Sequence, residues 1–263
     1  MTKKVFTALG LMTGTSMDGI DLSLIKSDGF SEFTTILNRY EKFDQKLQQN
    51  LMILRDKILN SRDLEKYSHE IKKIEREVTL LNGKIIEKTL NKNDYKIDLI
   101  GFHGQTIFHN PKEKISIQIG DGKLLSQITK KIVVNNFRNQ DLINGGQGAP
   151  LTPIFHKLIF SLINKKFKIP FPTNIINIGG ITNMTQIIDN DINSTNIYAY
   201  DIGPGNCLID EWVRKKSSQK IDKDGKLANS GKVNELILNQ AIDNFTINSY
   251  SDSLDIKDFD LSF

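Results

Sequence analysis

An apolar run that stops at a glycine turn and resumes as a second apolar run occurs twice in this chain, near residue 14 and near residue 179. Val5 to Leu11 is apolar on both faces and runs into Gly14-Thr15-Ser16-Met17-Asp18-Gly19; Ile20 to Ile25 then continues the pattern. Asn174 to Ile178 is followed by Gly179-Gly180 and by Met184 to Ile188. Two extended segments joined by a small-residue turn form a hairpin. What repeats is the order of elements, not the sequence, and two similar α/β lobes around a cleft would produce it. The stretch from Lys165 to Pro172, with its two prolines, is the best linker. It predicts a first lobe over 1–165 and a partial second lobe over 166–263.

Between the hairpins the periodicity changes. Phe33 to Arg39 reads as a third strand. From Lys42 to about Leu90, Leu47, Leu51, Ile53, Leu54 and Ile58, and then Ile71, Ile74, Val78, Leu81, Ile85 and Leu90, recur at helical spacing. Asn60-Ser61 supplies a cap between two helices. Ile97 to Phe102 is a strand of the buried type, Lys131 to Asn135 is another strand, and Ile115 to Ile119 alternates. Helices are expected at Lys123–Thr129, Thr152–Leu162, Leu208–Lys216 and Gly231–Phe245. The remaining stretch, Ser251 to Phe263, is polar and acidic.

Composition excludes several classes. Lys+Arg number 35 against 31 Asp+Glu, a net charge of +4 carried by scattered Lys-Lys pairs beside acidic or polar residues. That is a solvated surface and not a nucleic-acid footprint. The single cysteine, Cys207, excludes an internal disulfide and a cysteine-based zinc site. No apolar stretch approaches the ~18 residues of a membrane span, and the N-terminus lacks a signal-peptide pattern. The expectation is a cytoplasmic protein with no membrane or nucleic-acid partner.

Five segments carry chemistry. Gly14 to Asp21 has glycines whose amides can face an anion and two hydroxyls, Thr15 and Ser16. Asp18 there is an oxygen donor of the kind Mg²⁺ takes. A plain hairpin turn is the other reading. His103-Gly104-Gln105-Thr106 sits at a strand end, where α/β sites lie, and reads as a ligand turn or as a satisfied turn histidine. Arg138-x-x-Asp141 precedes Gly145-Gly146-Gln147-Gly148-Ala149-Pro150. Asp141 suits a general base of phosphoryl transfer, or else a structural Arg–Asp pair. Gly179-Gly180 and Gly203-Pro204-Gly205 put glycines at strand ends in the second half. Trp212 and Cys207 read as core.

Taken in order, GLMTGTSMDGID, GFHGQTIFHNP, QIGDG, NNFRNQDLINGGQGAPLTPIFH, NIGGITNMT and YDIGPGNCLIDEW resemble the anhydro-N-acetylmuramic acid kinase family. The resemblance runs from about Val5 to Leu261. It implies a two-lobed, actin-like ATPase fold of the ribonuclease H-like kind, with an incomplete second lobe. It implies a cytoplasmic enzyme of peptidoglycan recycling that uses ATP and Mg²⁺ to convert 1,6-anhydro-N-acetylmuramate and water into N-acetylmuramate 6-phosphate, and it suggests a homodimer. On that resemblance Gly14, Thr15, Ser16, Met17, Asp18, Gly19, Ile20 and Asp21 bind the ATP phosphates. Gly179, Gly180, Gly203 and Gly205 face the nucleotide. His103, Gln105 and Thr106 line the sugar cleft, and Asp141 activates the water. Asp18 and Asp201 are both metal ligands by type.

The family often has Asp where this chain has Asn136, a change that is tolerable with Asp141 as base. Its members continue past the point corresponding to Phe263, so a truncated second lobe is expected. Another actin-like sugar or acid kinase, and an inactive nucleotide-binding remnant, are the alternative readings.

Overall fold

The computed structural model describes residues 4–93, 95–189, 191, 196–244, 253, 254, 256 and 259. The acidic stretch from Ser251 onward and the expected helix end at Phe245 lie largely outside them. Two compact units emerge, Met1–Lys166 and Phe167–Phe263.

In the first unit, β1 (Phe6–Met12), β2 (Gly19–Ser27) and β3 (Phe33–Lys42) form an antiparallel meander. Three helices follow: α1 (Gln45–Lys57), α2 (Ser61–Lys66) and α3 (Ser68–Asn93). Then come β4 (Leu99–Phe102), the hairpin β5 (Gln105–Asn110) and β6 (Ile115–Ile119), α4 (Gly122–Thr129), β7 (Ile132–Asn135), α5 (Asn139–Ile143) and α6 (Pro153–Phe167). The mixed five-stranded sheet has the order β3-β2-β1-β4-β7, in which β1, β4 and β7 are parallel. Parallel neighbours need a crossover, and the helical insertions provide it.

Sequence explains these elements locally. Asp44 caps α1 by accepting the Leu47 amide at 2.8 Å, and Leu47, Leu51 and Leu54 recur on its buried face. They join Leu9, Leu11, Leu22, Leu24, Ile100 and Phe102 of the sheet in one apolar cluster, with Ile74, Val78 and Ile86 from α3 and Leu125 from α4. Three polar residues on the buried side of α3 are satisfied within the helix. Thr79, Asn82 and Thr89 donate to carbonyls four residues earlier at 2.7–2.8 Å.

In the second unit β8 (Thr173–Ile178), β9 (Ile181–Ile187) and β10 (Ile197–Pro204) form another antiparallel meander, order β10-β9-β8. Helices α7 (Asn206–Lys216), α8 (Lys226–Ser230) and α9 (Glu235–Asn244) follow. The repeat of hairpin order foreseen in the sequence is therefore a repeat of three-stranded meanders.

Several boundaries differ from the sequence reading. Gln105 and Thr106 are not turn residues: they open β5, whose pairing with β6 overrides their polarity. Asp141 lies in the first turn of the short helix α5, an element the sequence reading did not include. Helix α6 continues through Lys165 and Lys166 to Phe167, so the prolines at 170 and 172, not the lysines, mark its end. Strand β10 runs on through Asp201 and Gly203, with an irregular register between them. Trp212 is 48% exposed and is not core.

Candidate functional site

Parallel strands bring their C-terminal ends to one edge of a sheet, and ligands of open α/β sheets bind at that edge. Here Leu11 of β1, Phe102 of β4 and Asn135 of β7 stand in register across three adjacent strands. The segments that follow them are Gly14–Gly19, His103-Gly104 and Asn136–Asp141. Three stretches far apart in sequence thus leave the sheet side by side. The His103 amide donates to the Leu11 carbonyl at 3.1 Å and ties the second to the first.

The opening turn is closed by the Met17 amide on the Gly14 carbonyl at 3.1 Å. Met17 and Ile20 are buried at 1% exposure each, so these two serve the turn as anchors. Thr15 and Ser16 are exposed, and Asp18 is half-buried with the Ser16 hydroxyl donating to it. Asp21 sits directly opposite Tyr40 on β3, and residues so paired share a face. Tyr40 also leans over Gly19, where a Cβ would fall 2.7 Å from its ring and hydroxyl. Desolvation and a hydrogen bond from its hydroxyl to Asp18 push the Tyr40 phenol up to about 12. Partial burial, and then the Asp18 charge, raise Asp21 above the usual carboxylate range. Tyr40 was not foreseen. Its place depends on strand register, which linear spacing does not reveal.

On the next strand end, His103 is held on both sides. Its Nδ1 donates to the Gly104 carbonyl at 2.8 Å. Its Nε2 accepts from Arg138 Nη2 at 3.0 Å and Nε at 3.2 Å. Burial and the Arg138 charge lower its pKa. Gln105 is 1% exposed; its Nε2 donates to the Thr106 carbonyl at 3.0 Å, while Oε1 has no hydrogen-bond partner among the described residues. Thr106 Oγ1 accepts from Gln118 at 3.3 Å.

After β7, Arg138 Nη1 donates to the Gly148 carbonyl at 2.8 Å, and the Gly148 amide donates to Asp141 Oδ2 at 2.6 Å. The Gly146 amide donates to the Asp141 carbonyl at 2.8 Å. Gly146 is required here, because a Cβ would overlap the Asp141 carboxylate. The Arg–Asp pair foreseen as the structural alternative is thus bridged by Gly148. The carboxylate itself is exposed.

The second unit gathers its glycine turns by itself. The amides of Gly205, Asn206 and Cys207 at the head of α7 donate to the carbonyls of Gly180 (2.9 Å), Gly179 (2.7 Å) and Gly180 (3.3 Å). A Cβ at Gly205 would overlap the Gly179 carbonyl, so only glycine fits. Gly203 stands at the register irregularity of β10. Asp201 is 7% exposed and accepts the Leu254 amide at 2.8 Å. Opposite it on β9, Asn183 has a buried Oδ1 with no hydrogen-bond partner among the described residues. No group of three or more His, Cys, Asp or Glu that could hold a metal occurs among the described residues, nor does a helix long and apolar enough to cross a membrane.

Comparison with known proteins completes the picture. A family model described as "Anhydro-N-acetylmuramic acid kinase" matches residues 6–252. A Pelagibacter ubique protein of that name is 52% identical over 99% of this chain and 68% of its own length. Proteins of the same name from Agrobacterium fabrum and Rhizobium etli are 36% and 38% identical, over 88% and 97% of this chain and 61% and 68% of their own lengths. The chain thus spans about two thirds of the length of these relatives.

Proposed function

The chain belongs to the anhydro-N-acetylmuramic acid kinase family, phosphotransferases with an alcohol group as acceptor, and from that premise we propose how its residues divide the work. The reaction is the ATP-dependent conversion of 1,6-anhydro-N-acetylmuramate and water into N-acetylmuramate 6-phosphate, and the two meanders belong to an actin-like ATPase fold with the first lobe over 1–165. The alignment of three parallel strand ends on one edge carries this reading. It brings the chain into the hairpin turn, the β4–β5 turn and the segment that leads to Asp141 from three adjacent strand ends.

Asp141 is the general base. Its Oδ2 is occupied by the Gly148 amide, which fixes the carboxylate and leaves Oδ1 to take a proton from water. The water oxygen bonds to the anomeric carbon, the bond from that carbon to O6 breaks, and O6 bonds to the γ-phosphorus as ADP leaves. In phosphoryl transfer the protein mainly positions groups and neutralises charge. Gly14–Asp21 serves the phosphates through its backbone and the exposed Thr15 and Ser16 hydroxyls. Gln105 and Thr106 serve the sugar. The buried, unpaired Gln105 Oε1 would take a donor from a sugar hydroxyl, since an orphaned acceptor costs about 1–3 kcal/mol. Gly179, Gly180, Gly203 and Gly205 serve the nucleotide from the second unit.

Magnesium takes hard oxygen donors, usually one or two carboxylates besides phosphates and waters. Asp18 fits as an oxygen donor beside a second carboxylate: Asp21 is raised by partial burial and then by the Asp18 charge, and a cation would relieve the latter repulsion. Asp201, buried against the Leu254 amide, fits less well. When bound, the ion neutralises charge on the transferred phosphoryl group.

A coupled ADP-release assay with 1,6-anhydro-N-acetylmuramate tests the reading. Asp141→Asn should lower kcat by about 10²–10⁴-fold and leave ATP affinity nearly unchanged. An Asn variant with full turnover would remove Asp141 from the chemistry.

A further inference from the structure

We propose that His103 is a positioning residue for Asp141 and not a contact to the sugar: its Nε2 receives the Arg138 guanidinium, Arg138 grips the Gly148 carbonyl, and Gly148 presents its amide to the Asp141 carboxylate. The catalytic consequence rests on Asp141 being the base; the structural chain does not.

Each link is short and directional. Arg138 can only donate, so His103 Nε2 must be the acceptor in the 3.0 and 3.2 Å contacts. The Gly104 carbonyl can only accept, so Nδ1 carries the proton at 2.8 Å. These partners assign the neutral Nδ1–H tautomer. They also engage both ring nitrogens, which leaves neither to address a substrate hydroxyl. The guanidinium is planar and its donors diverge in a fixed fork. With Nε and Nη2 on the ring, Nη1 is aimed at Gly148, whose carbonyl it meets at 2.8 Å. The peptide unit on the other side of Gly148 then carries the amide that holds Asp141 Oδ2 at 2.6 Å. His103 and Arg138 are 35 residues apart, so the link joins the end of β4 to the segment after β7.

Arg138 is the charge that faces the ring, and its own turn contributes the Gly104 carbonyl. His109 of β5 stands close to Gly148, where a Cβ would come 3.3 Å from its Cε1. Asp141 lies beyond the Gly148 amide. A protonated ring would place an N–H against the guanidinium and break both Arg138 contacts. A hydrophobic replacement would remove the ring acceptor that orients the guanidinium and so loosen its hold on Gly148.

The experiment uses the full chain labelled with ¹⁵N, and its primary readouts need no turnover. Long-range ¹H–¹⁵N correlation at neutral pH should show His103 as the Nδ1–H tautomer. Gly148 amide exchange should accelerate about tenfold or more in His103→Leu and Arg138→Leu, in line with loss of a bond to a charged group. It should stay within about threefold of wild type in His103→Gln, whose amide oxygen can replace Nε2 as acceptor. In the ADP-release assay His103→Leu should lower kcat with little change in KM for the sugar, and His103→Gln should recover most of it. An Nε2–H tautomer, or Gly148 exchange indifferent to His103, overturns the proposal. So does a rise in sugar KM at constant kcat in both His103 variants, which marks a direct contact. If His103→Leu does not fold, Arg138→Leu and His103→Gln carry the same test. Full turnover by Asp141→Asn would instead sink the base assignment and leave the exchange result standing.

Discussion

His103 shows how one side chain can bind pH to stability. Burial, and then the Arg138 charge, hold its pKa below the ordinary 6.5. The unfolded chain therefore takes up a proton at this residue before the folded chain does. Where the unfolded state binds more protons, stability rises with pH. His103 thus contributes its full stability above about pH 6.5 and loses it as the pH falls toward the lowered value. Thermal melts at pH 7.5 and 5.5 should show a lower Tm at the acid end, and His103→Gln should reduce that difference. His156 is also lowered by burial and sets a smaller residual slope in the variant. The residue types at this site were legible in the sequence. The link from His103 to Arg138 was not, because only the sheet brings residues 35 positions apart together.

Element formation here follows local signals where they are strong and tertiary pairing where they are not. The α1 pattern of Leu47, Leu51 and Leu54 is visible in the sequence, and Asp44 fixes where the helix begins. Asp44→Ala should cost about 0.5–2 kcal/mol, read as a shift in the urea midpoint with an unchanged slope. The strand β5 lacked such a signal. Its first two residues are polar, and it exists because β6 pairs with it. Five residues of α5 are too few to show a period, so no helix was expected around Asp141. The hairpin of β1 and β2 was readable because an apolar run, a glycine-rich turn and another apolar run all agree there. Tyr40 escaped notice because its tie to Asp21 is a matter of register.

At the scale of the molecule, the two units are built alike and filled differently. The main apolar cluster extends from Leu9 to Leu125 and belongs wholly to the first unit. In the second, among the described residues, only Ile187 and Val213 are buried hydrophobics, and Ile176 and Ile178 of β8 are more than half exposed. Regions with few buried apolar contacts open at lower free energy. Native-state hydrogen exchange should therefore find β8, β9 and β10 amides exchanging through cheaper openings than those of β1, β2 and β4. Equal protection in the two meanders would mean that burial does not set their relative stability.

The bonds between the Gly179-Gly180 turn and the head of α7 have an optical consequence. Three main-chain ties and an absent side chain make turn and helix a single lever, so whatever displaces the turn displaces α7 with it. The sole tryptophan of the chain, Trp212, rides on that helix with its indole about half in water. Its emission is a built-in reporter of any movement of that turn, without any added dye.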